Sequence, residues 1–573
     1  MIAGIPQKKR TSAESLKDKE SRGEIPFIAV VRVEMTIPGK SLDLRSLSSG
    51  VNPKCFVNSI IRCHRWERFQ MRIALAASEV IGFAKTGGLA DVCGALPVAL
   101  ENLGHEVAVF MPMYETVRRA GNYEPTGISY PVPIGPYQVW VTLYKSILPH
   151  SRVPVYFIAN HENFERDNPS YGRGIYQFQG SDGNKKDYPD NSSRFLLLTR
   201  AVLESFPQMG FWPDVFHTND WQTGLGPVLL RELYDRHPNL NWARQYQKIK
   251  TLFTIHNIAY QGNFWKHDLN ATHLGWNLFN YRQLEFHDML SYLKAGIVFA
   301  DRVNTVSPTY AMEIQTPYYG YGMQSILMAH ADKLSGIVNG IDYHIWDPSK
   351  DEFLSGHYDS ENILPGKAEC KRSIQVELGL QVDDRAPLVG MVARLVSQKG
   401  LDLVLDAMWG MMDLGIQFVV LGEGDQRYHQ ALSYLRERYP NRVALQFGFD
   451  ESLAHRIEAG VDMFLMPSLY EPSGLNQLYS MRYGSLPIVR ATGGLADTVT
   501  DTTDQSLANA TATGFSFPAY NWQSLLDATR RAVCLYHDRR DLWQQVQRNA
   551  MREDWSWNRS AKSYASLYES MMD

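Results

Sequence analysis

Short apolar runs of strand length, at 71–76, 106–111, 154–159, 214–217 and 251–256, and again at 387–393, 416–421, 443–447, 462–466 and 486–489, alternate with helix-length amphipathic stretches. A strand that is apolar along its whole length is buried on both faces. A parallel neighbour can be reached only through a long crossover, which the intervening helices supply. The pattern therefore specifies an α/β chain with parallel sheets. Its length of 573 residues exceeds what one hydrophobic core comfortably holds, so two sheets are expected.

The segment before this pattern is different. Residues 1–70 open on charged clusters and lack a sustained apolar period, so a mostly disordered extension is expected, with 27–33 as a possible short strand within it. Glu14, Asp18, Glu20 and Glu24 speak against an acid-poor transit peptide, and no apolar core of a secretory signal follows the first charges.

Composition excludes several function classes. The 57 Lys+Arg against 61 Asp+Glu leave a formal charge of −4, with no long basic block, so nucleic acid is not an expected partner. No apolar stretch approaches the ~20 residues that span a bilayer, so no membrane partner is expected either. The 5 cysteines are scattered and contain no C-x-x-C, which points to a reducing compartment. None of the 16 histidines falls into a zinc spacing, and neither a metal nor another cofactor is assigned.

The hexapeptide T-G-G-L-A-D occurs twice, at 86–91 and 492–497, each time between an apolar run and a helical segment. A Gly-Gly turn opening a helix lets backbone approach a ligand and presents unpaired N–H groups to an anion. Two copies in matching contexts suggest a phosphorylated ligand held between two Rossmann-like units. The strand ends, where open α/β sheets hold ligands, carry Lys85, His217, His256, Arg394, Lys399 and Glu471. Arg394 and Lys399 suit a diphosphate as fork donor and point charge. His217 reads either as a site residue or as a hydrogen-bonded core histidine. The chain lacks a phosphate-binding loop of the G-x-x-x-x-G-K-[ST] type and a G-x-S-x-G elbow, which disfavours metal-dependent kinase chemistry and serine hydrolysis.

These residues resemble the bacterial glycogen synthase and plant starch synthase family. The segments that carry the resemblance run in order from Met71: K-T-G-G-L-A-D-V at 85–92, Asp190 and Asn191 with Arg194 and Phe195, H-T-N-D-W at 217–221, T-I-H-N-I-A-Y-Q-G at 254–262, T-V-S-P at 305–308 and V-N-G-I-D at 338–342 with Trp346. They continue with R-L-V-S-Q-K-G at 394–400, E-P-S-G-L-N-Q-L at 471–478, R-Y-G at 482–484 and G-G-L at 493–495. The resemblance implies the GT-B fold, two Rossmann-like, doubly wound parallel-sheet domains facing a central cleft. It divides the chain into 71–335 on the acceptor side, 336–553 on the nucleotide-sugar side, and 554–573 crossing back to the first domain.

It further implies a retaining glucosyltransferase that moves glucose from ADP-glucose to the non-reducing end of an α-1,4-glucan, in the cytoplasm or, in a plant or alga, the plastid stroma. UDP-glucose is the other possible donor. By position, Lys85 looks like the lysine that contacts the donor, with Gly87 and Gly88 lending N–H groups. Arg394 and Lys399 look like the pair that neutralises the departing diphosphate. Glu471 matches the acid near the donor sugar, and Gly474, Leu475 and Asn476 lie beside phosphates and ribose. His217 matches the histidine near the transferring glucose, with Asp190 and Asn339 at further sugar positions. The chain departs from family patterns at Ser473, where many members carry cysteine, and at Asn219 and Gln222, which stand for histidines; Tyr479 stands where related families have a second glutamate. The alternative is a non-catalytic glucan- or nucleotide-sugar-binding protein on the same scaffold. Because βαβ patterning begins at Met71, a chain started there is expected to match the full chain in melting temperature and in glucosyl transfer; a clear loss of either shows that the extension is structural.

Overall fold

The computed structural model describes residues 70–166, 174–180 and 185–572; apart from Gln70, the expectation for residues 1–70 lies outside them. Two large sheets organise the described residues. The first runs Leu334–Gly336, Arg302–Thr305, Lys250–Ile255, Val215–Asn219, Arg72–Ala76, Glu106–Pro112, Pro154–Ala159, Tyr137–Ile147, Glu124–Ile134 from edge to edge. The second runs Val443–Phe447, Gln417–Gly422, Leu388–Val392, Met463–Met466, Leu486–Arg490, Phe515–Phe517, all parallel.

Every apolar run read from the sequence became a strand, with ends shifted by two residues at most. Central strands such as Arg72–Ala76 and Leu388–Val392 are buried almost throughout, as the absence of alternation required. Strands 302–305, 334–336 and 515–517 were not anticipated, because three or four residues give too little pattern to read. The hairpin Glu124–Ile134 with Tyr137–Ile147 was also missed. It is antiparallel and half exposed, and its outer strand carries Pro125, Pro131 and Pro133, which an edge tolerates because N–H groups there need no ladder partner.

Helices cover the sheets through one apolar stripe each. The helix Gly88–Asn102 buries Leu89, Val92, Cys93, Leu96 and Leu100. The last helix, Trp557–Glu569, buries Trp557, Ala561, Tyr564, Ala565 and Tyr568 at helical spacing and packs on Gly88–Asn102. Its approach is pinned where Ile341 N donates to Trp555 O at 2.8 Å. Its tyrosines then reach the first sheet: Asn304 Nδ2 donates to the Tyr564 hydroxyl (3.0 Å), and the Tyr568 hydroxyl meets His217 Nδ1 (2.9 Å). No helix among the described residues is long and apolar enough to cross a membrane.

This docking yields a stability prediction. Tyr568→Phe keeps the ring but leaves the buried His217 Nδ1 without a partner, a loss of about 1–3 kcal/mol that urea unfolding should register. An unchanged midpoint would show that the contact is not part of the anchor.

Candidate active site

A cleft of about 1840 Å³ is lined by loops that follow the strands of both sheets. On one side, strand Arg72–Ala76 leads into Glu79 and then Lys85, Thr86 and Gly87, which open the helix Gly88–Asn102. A Cβ added at Gly87 or Gly88 would meet no atom within 4 Å, so these glycines border open space. Glu79 holds the turn: its carboxylate accepts from Thr86 N, from Thr86 Oγ1 at 2.7 Å, from Gly87 N at 3.2 Å and from the Tyr176 hydroxyl at 2.6 Å. Lys85 Nζ sits 2.7 Å from Asp91 Oδ1.

On the other side, strand Leu388–Val392 ends just before Arg394, whose exposed guanidinium lies 3.5 Å from Gln398 Oε1. Lys399 follows on a single 3₁₀ turn, and its Nζ donates to Glu471 Oε2 at 2.6 Å. Ser468 Oγ donates to the same oxygen at 2.9 Å. Glu471, Ser473, Gly474, Leu475 and Asn476 form the next strand-end loop, with Asn476 Nδ2 bonded to Val392 O at 2.8 Å. Two turns here depend on glycine. Gly400 has φ +74° and its Cβ would strike Pro467 O, and Gly474 has φ +68° with Gln477 pressed against it.

Six buried polar atoms of cleft-lining residues have no hydrogen-bond partner among the described residues: Tyr188 Oη, Gln222 Oε1, Asn263 Oδ1, Asn339 Oδ1, Glu458 Oε2 and Ser473 Oγ. Buried polar groups are nearly always paired, so orphans grouped around one cleft point to a ligand that completes them. Among the described residues no group of three or more His, Cys, Asp or Glu side chains is placed to hold a metal ion.

The structure thus brings together Lys85, Gly87, Gly88, Asn339, Arg394, Lys399, Glu471, Gly474, Leu475 and Asn476. It does not bring His217 or Asp190 to the cleft lining. His217 is buried, with Nε2 2.8 Å from Thr254 Oγ1 and Nδ1 on Tyr568, and burial pushes its imidazole down to about 3. The residue lies within strand Val215–Asn219, with its ring on the C-terminal helix, the setting of a hydrogen-bonded core histidine. His256, one strand over, lines the cleft in its place, with Nε2 2.9 Å from Asn219 Oδ1; burial pushes it also down to about 3, so it is neutral at pH 7. Asp190 is held by Arg166 in a two-pronged pair beside the helix Asn191–Met209, while its neighbours Tyr188 and Asn191 line the cleft.

Only the first T-G-G-L-A-D copy lines the cleft. The second is buried: a Cβ at Gly493 would strike Glu471 O at 2.0 Å and one at Gly494 would strike Ser473 O at 2.0 Å, so those glycines serve close packing rather than ligand approach. Two residues of consequence escaped sequence reasoning. Glu79 carries no motif of its own. Asp220 lay inside a quoted segment, but nothing local marks its backbone at φ +54°. Its Oδ1 accepts from His256 N at 2.7 Å, and burial, outweighing its bonds from the His256 and Asn257 N–H groups, pushes its carboxyl up to about 7. A non-glycine residue with positive φ and a displaced carboxyl, beside a cleft, marks a functional neighbourhood.

Comparison with known proteins agrees with this geometry. Residues 72–329 match the family described as "Starch synthase catalytic domain", and residues 379–549 match "Glycosyl transferases group 1". Glycogen synthase of Anaeromyxobacter dehalogenans (strain 2CP-C) is 47% identical over 502 residues, 87% of this chain and 100% of that protein. Glycogen synthase of Myxococcus xanthus (strain DK1622) is 43% identical over 503 residues, 88% of this chain and 100% of that protein. The catalytic domain of starch synthase IV from Arabidopsis thaliana, solved bound to ADP and acarbose, is 32% identical and superposes with a TM-score of 0.76, covering 88% of this chain and 100% of that one. With two parallel-sheet units facing one cleft, and with relatives matched over nearly their whole length, the chain belongs to the glycogen synthase and starch synthase family, glucosyltransferases of the GT-B fold.

Proposed function

We propose that the chain transfers glucose from ADP-glucose to the non-reducing end of an α-1,4-glucan with retention of configuration. The observation that carries this reading is the cleft itself, where Lys85 from one sheet and Arg394 and Lys399 from the other accompany Glu471 and six unpartnered polar atoms. The solved starch synthase IV domain, bound to ADP and acarbose, supports a nucleotide on one side and a glucan on the other. On this reading residues 336–553 hold the nucleotide sugar, 71–335 hold the acceptor and contribute Lys85, and 554–573 tie the two together. Its place is the cytoplasm, or the plastid stroma in a plant or alga.

Glucosyl transfer develops positive charge at C1 and negative charge on the leaving diphosphate. Arg394 and Lys399 answer the second with charge already in place, which is where electrostatic catalysis is most effective. Glu471 keeps Lys399 aimed through its 2.6 Å contact, and Ser468 keeps Glu471 aimed in turn. Gly87 and Gly88 leave room for the donor, and Asn339, Gly474, Leu475 and Asn476 form its walls. Asp220 accepts from the backbone of His256 through Oδ1 and is given no part in the reaction on this reading. Retention then follows from attack by the acceptor hydroxyl on the face from which ADP departs. The C1–O(phosphate) bond breaks, the C1–O(acceptor) bond forms, and the departing phosphate oxygen takes the hydroxyl proton.

The direct test incubates the full chain with labelled ADP-glucose or UDP-glucose, glycogen and EDTA, and measures polymer-bound label. Incorporation from ADP-glucose with an α-linked product is expected. Binding of donor and glucan without incorporation would favour the non-catalytic reading, and preference for UDP-glucose would overturn the donor assignment. Arg394→Ala and Lys399→Ala should each lower kcat by ~10²–10³-fold with much smaller effects on KM, as expected for groups that act on charge formed in the transition state. Wild-type kcat in both variants would show that the diphosphate binds elsewhere.

A further inference from the structure

The two T-G-G-L-A-D copies are each met by a glutamate in the same way. Glu79 accepts from Thr86 Oγ1 and Gly87 N; Glu313 accepts from Thr492 Oγ1 at 2.8 Å and from Gly493 N at 3.1 Å. The copies part company at their ends. In the first, Lys85 precedes the turn and pairs with the final aspartate, Asp91, in the cleft. In the second, Ala491 precedes it, and the final aspartate, Asp497, reaches the other half of the molecule. There it accepts from Ser307 Oγ at 2.5 Å, from Thr309 Oγ1 at 2.7 Å and from Thr309 N at 3.0 Å.

Ser307 and Thr309 begin the helix Pro308–Glu313, and Glu313 ends it. The exchange is therefore reciprocal. Pro308–Glu313 sends its last carboxylate to the first N–H of Gly493–Thr498 and receives, at its own first turn, the carboxylate of Asp497. Carboxylates are favoured beside such unpaired N–H groups, and bonds to an ionised acceptor are the stronger kind. The first helix follows strand Arg302–Thr305 of the first sheet and packs on Leu334–Gly336, from which the chain passes to the second sheet.

The clasp continues into the active site. Gly494 N donates to Glu471 O at 3.1 Å and to Pro472 O at 3.2 Å, and neither Gly493 nor Gly494 leaves space for even a methyl group against that loop. A shift of the clasped turn must therefore move Glu471, and Glu471 holds Lys399.

We propose that Glu313 and Asp497 are positioning residues, a reciprocal carboxylate clasp that fixes the Glu471 loop, and through it Lys399, relative to the half that carries Lys85. The proposal rests on the assignment of Lys399 and Glu471 to the donor site given under Proposed function.

The test uses Asp497→Asn, Glu313→Gln and the double variant in the full chain. Each single substitution is expected to lower kcat roughly tenfold while donor KM stays within about threefold, because alignment is lost and donor contacts are kept. The double variant should be no slower than the slower single variant, since the two acids act as one unit. Thr309→Val, which removes a single hydroxyl on the opposite side, should move kcat in the same direction and serves if an acid variant does not fold. Hydrogen exchange at the Gly494 amide, which donates to Glu471 O and Pro472 O, should quicken in Asp497→Asn and in Glu313→Gln. Values of kcat within twofold of wild type in the single variants, or unchanged exchange at the Gly494 amide, would overturn the proposal. If the wild-type chain transfers no glucose from either donor, the functional reading fails by itself, and the exchange experiment still decides the clasp.

Discussion

Parallel pairing is the constraint on which the remainder of the molecule depends. Strands that run the same way bring their C-terminal ends to one edge of a sheet, and the loops that leave those ends are free of ladder hydrogen bonds. In the first sheet that edge carries Glu79, Lys85, Asp220 and His256; in the second it carries Arg394, Lys399 and Glu471. The two edges line a single cleft, so residues more than 300 positions apart are delivered to one place by topology alone. The antiparallel hairpin Glu124–Ile134 with Tyr137–Ile147 stands at the far edge of the first sheet and contributes no residue to this lining.

Within the cleft the charges are provisioned against one another. Lys85 rests on Asp91, Lys399 on Glu471, and the N–H groups of the first Gly-Gly turn on Glu79. A preorganised anion site in a chain without its anion faces self-repulsion among its cations, and these carboxylates relieve it while keeping each cation near its working position. The polar atoms left unpaired are those of Tyr188, Gln222, Asn263, Asn339 and Ser473, and one oxygen of Glu458, whose carboxyl burial pushes well up and so toward its neutral form. A missing hydrogen bond on a neutral group is tolerated far better than a buried unpaired charge.

Besides the Arg490–Tyr319 bond and the Tyr321–Tyr470 ring contact, two sets of contacts hold the second half to the first. One is covalent continuity reinforced by packing, in which the helix Trp557–Glu569 returns to the first sheet and places Tyr568 on His217. The other is the exchange of carboxylates between Pro308–Glu313 and Gly493–Thr498. Both use buried polar groups whose partners lie more than 150 residues away, which ties the alignment of the halves to a few directional bonds rather than to apolar area alone.

What the sequence determined by itself is the class of fold and many of the polar residues that line the cleft. Burial on both faces of a parallel strand demands uninterrupted apolar runs, so strands such as 106–112 and 417–422 announce themselves, and Lys85, Arg394, Lys399 and Glu471 stand beside such runs. Short edge strands and the proline-bearing hairpin gave no comparable signal, because an edge needs neither an apolar period nor a full set of N–H donors. Which histidine faces the cleft was decided only in three dimensions: His217 and His256 both sit at strand ends in the sequence, but a helix from the opposite end of the chain covers His217. The two identical hexapeptides make the same point. Each finds a glutamate, yet the backbones differ at the first glycine, extended at Gly87 (φ −157°) and left-handed at Gly493 (φ +46°), and one copy borders the cleft while the other packs between the halves. An identical hexapeptide does not by itself specify one turn: Glu313 and the carbonyls of Glu471 and Pro472 hold the second copy, and only the folded whole brings them near.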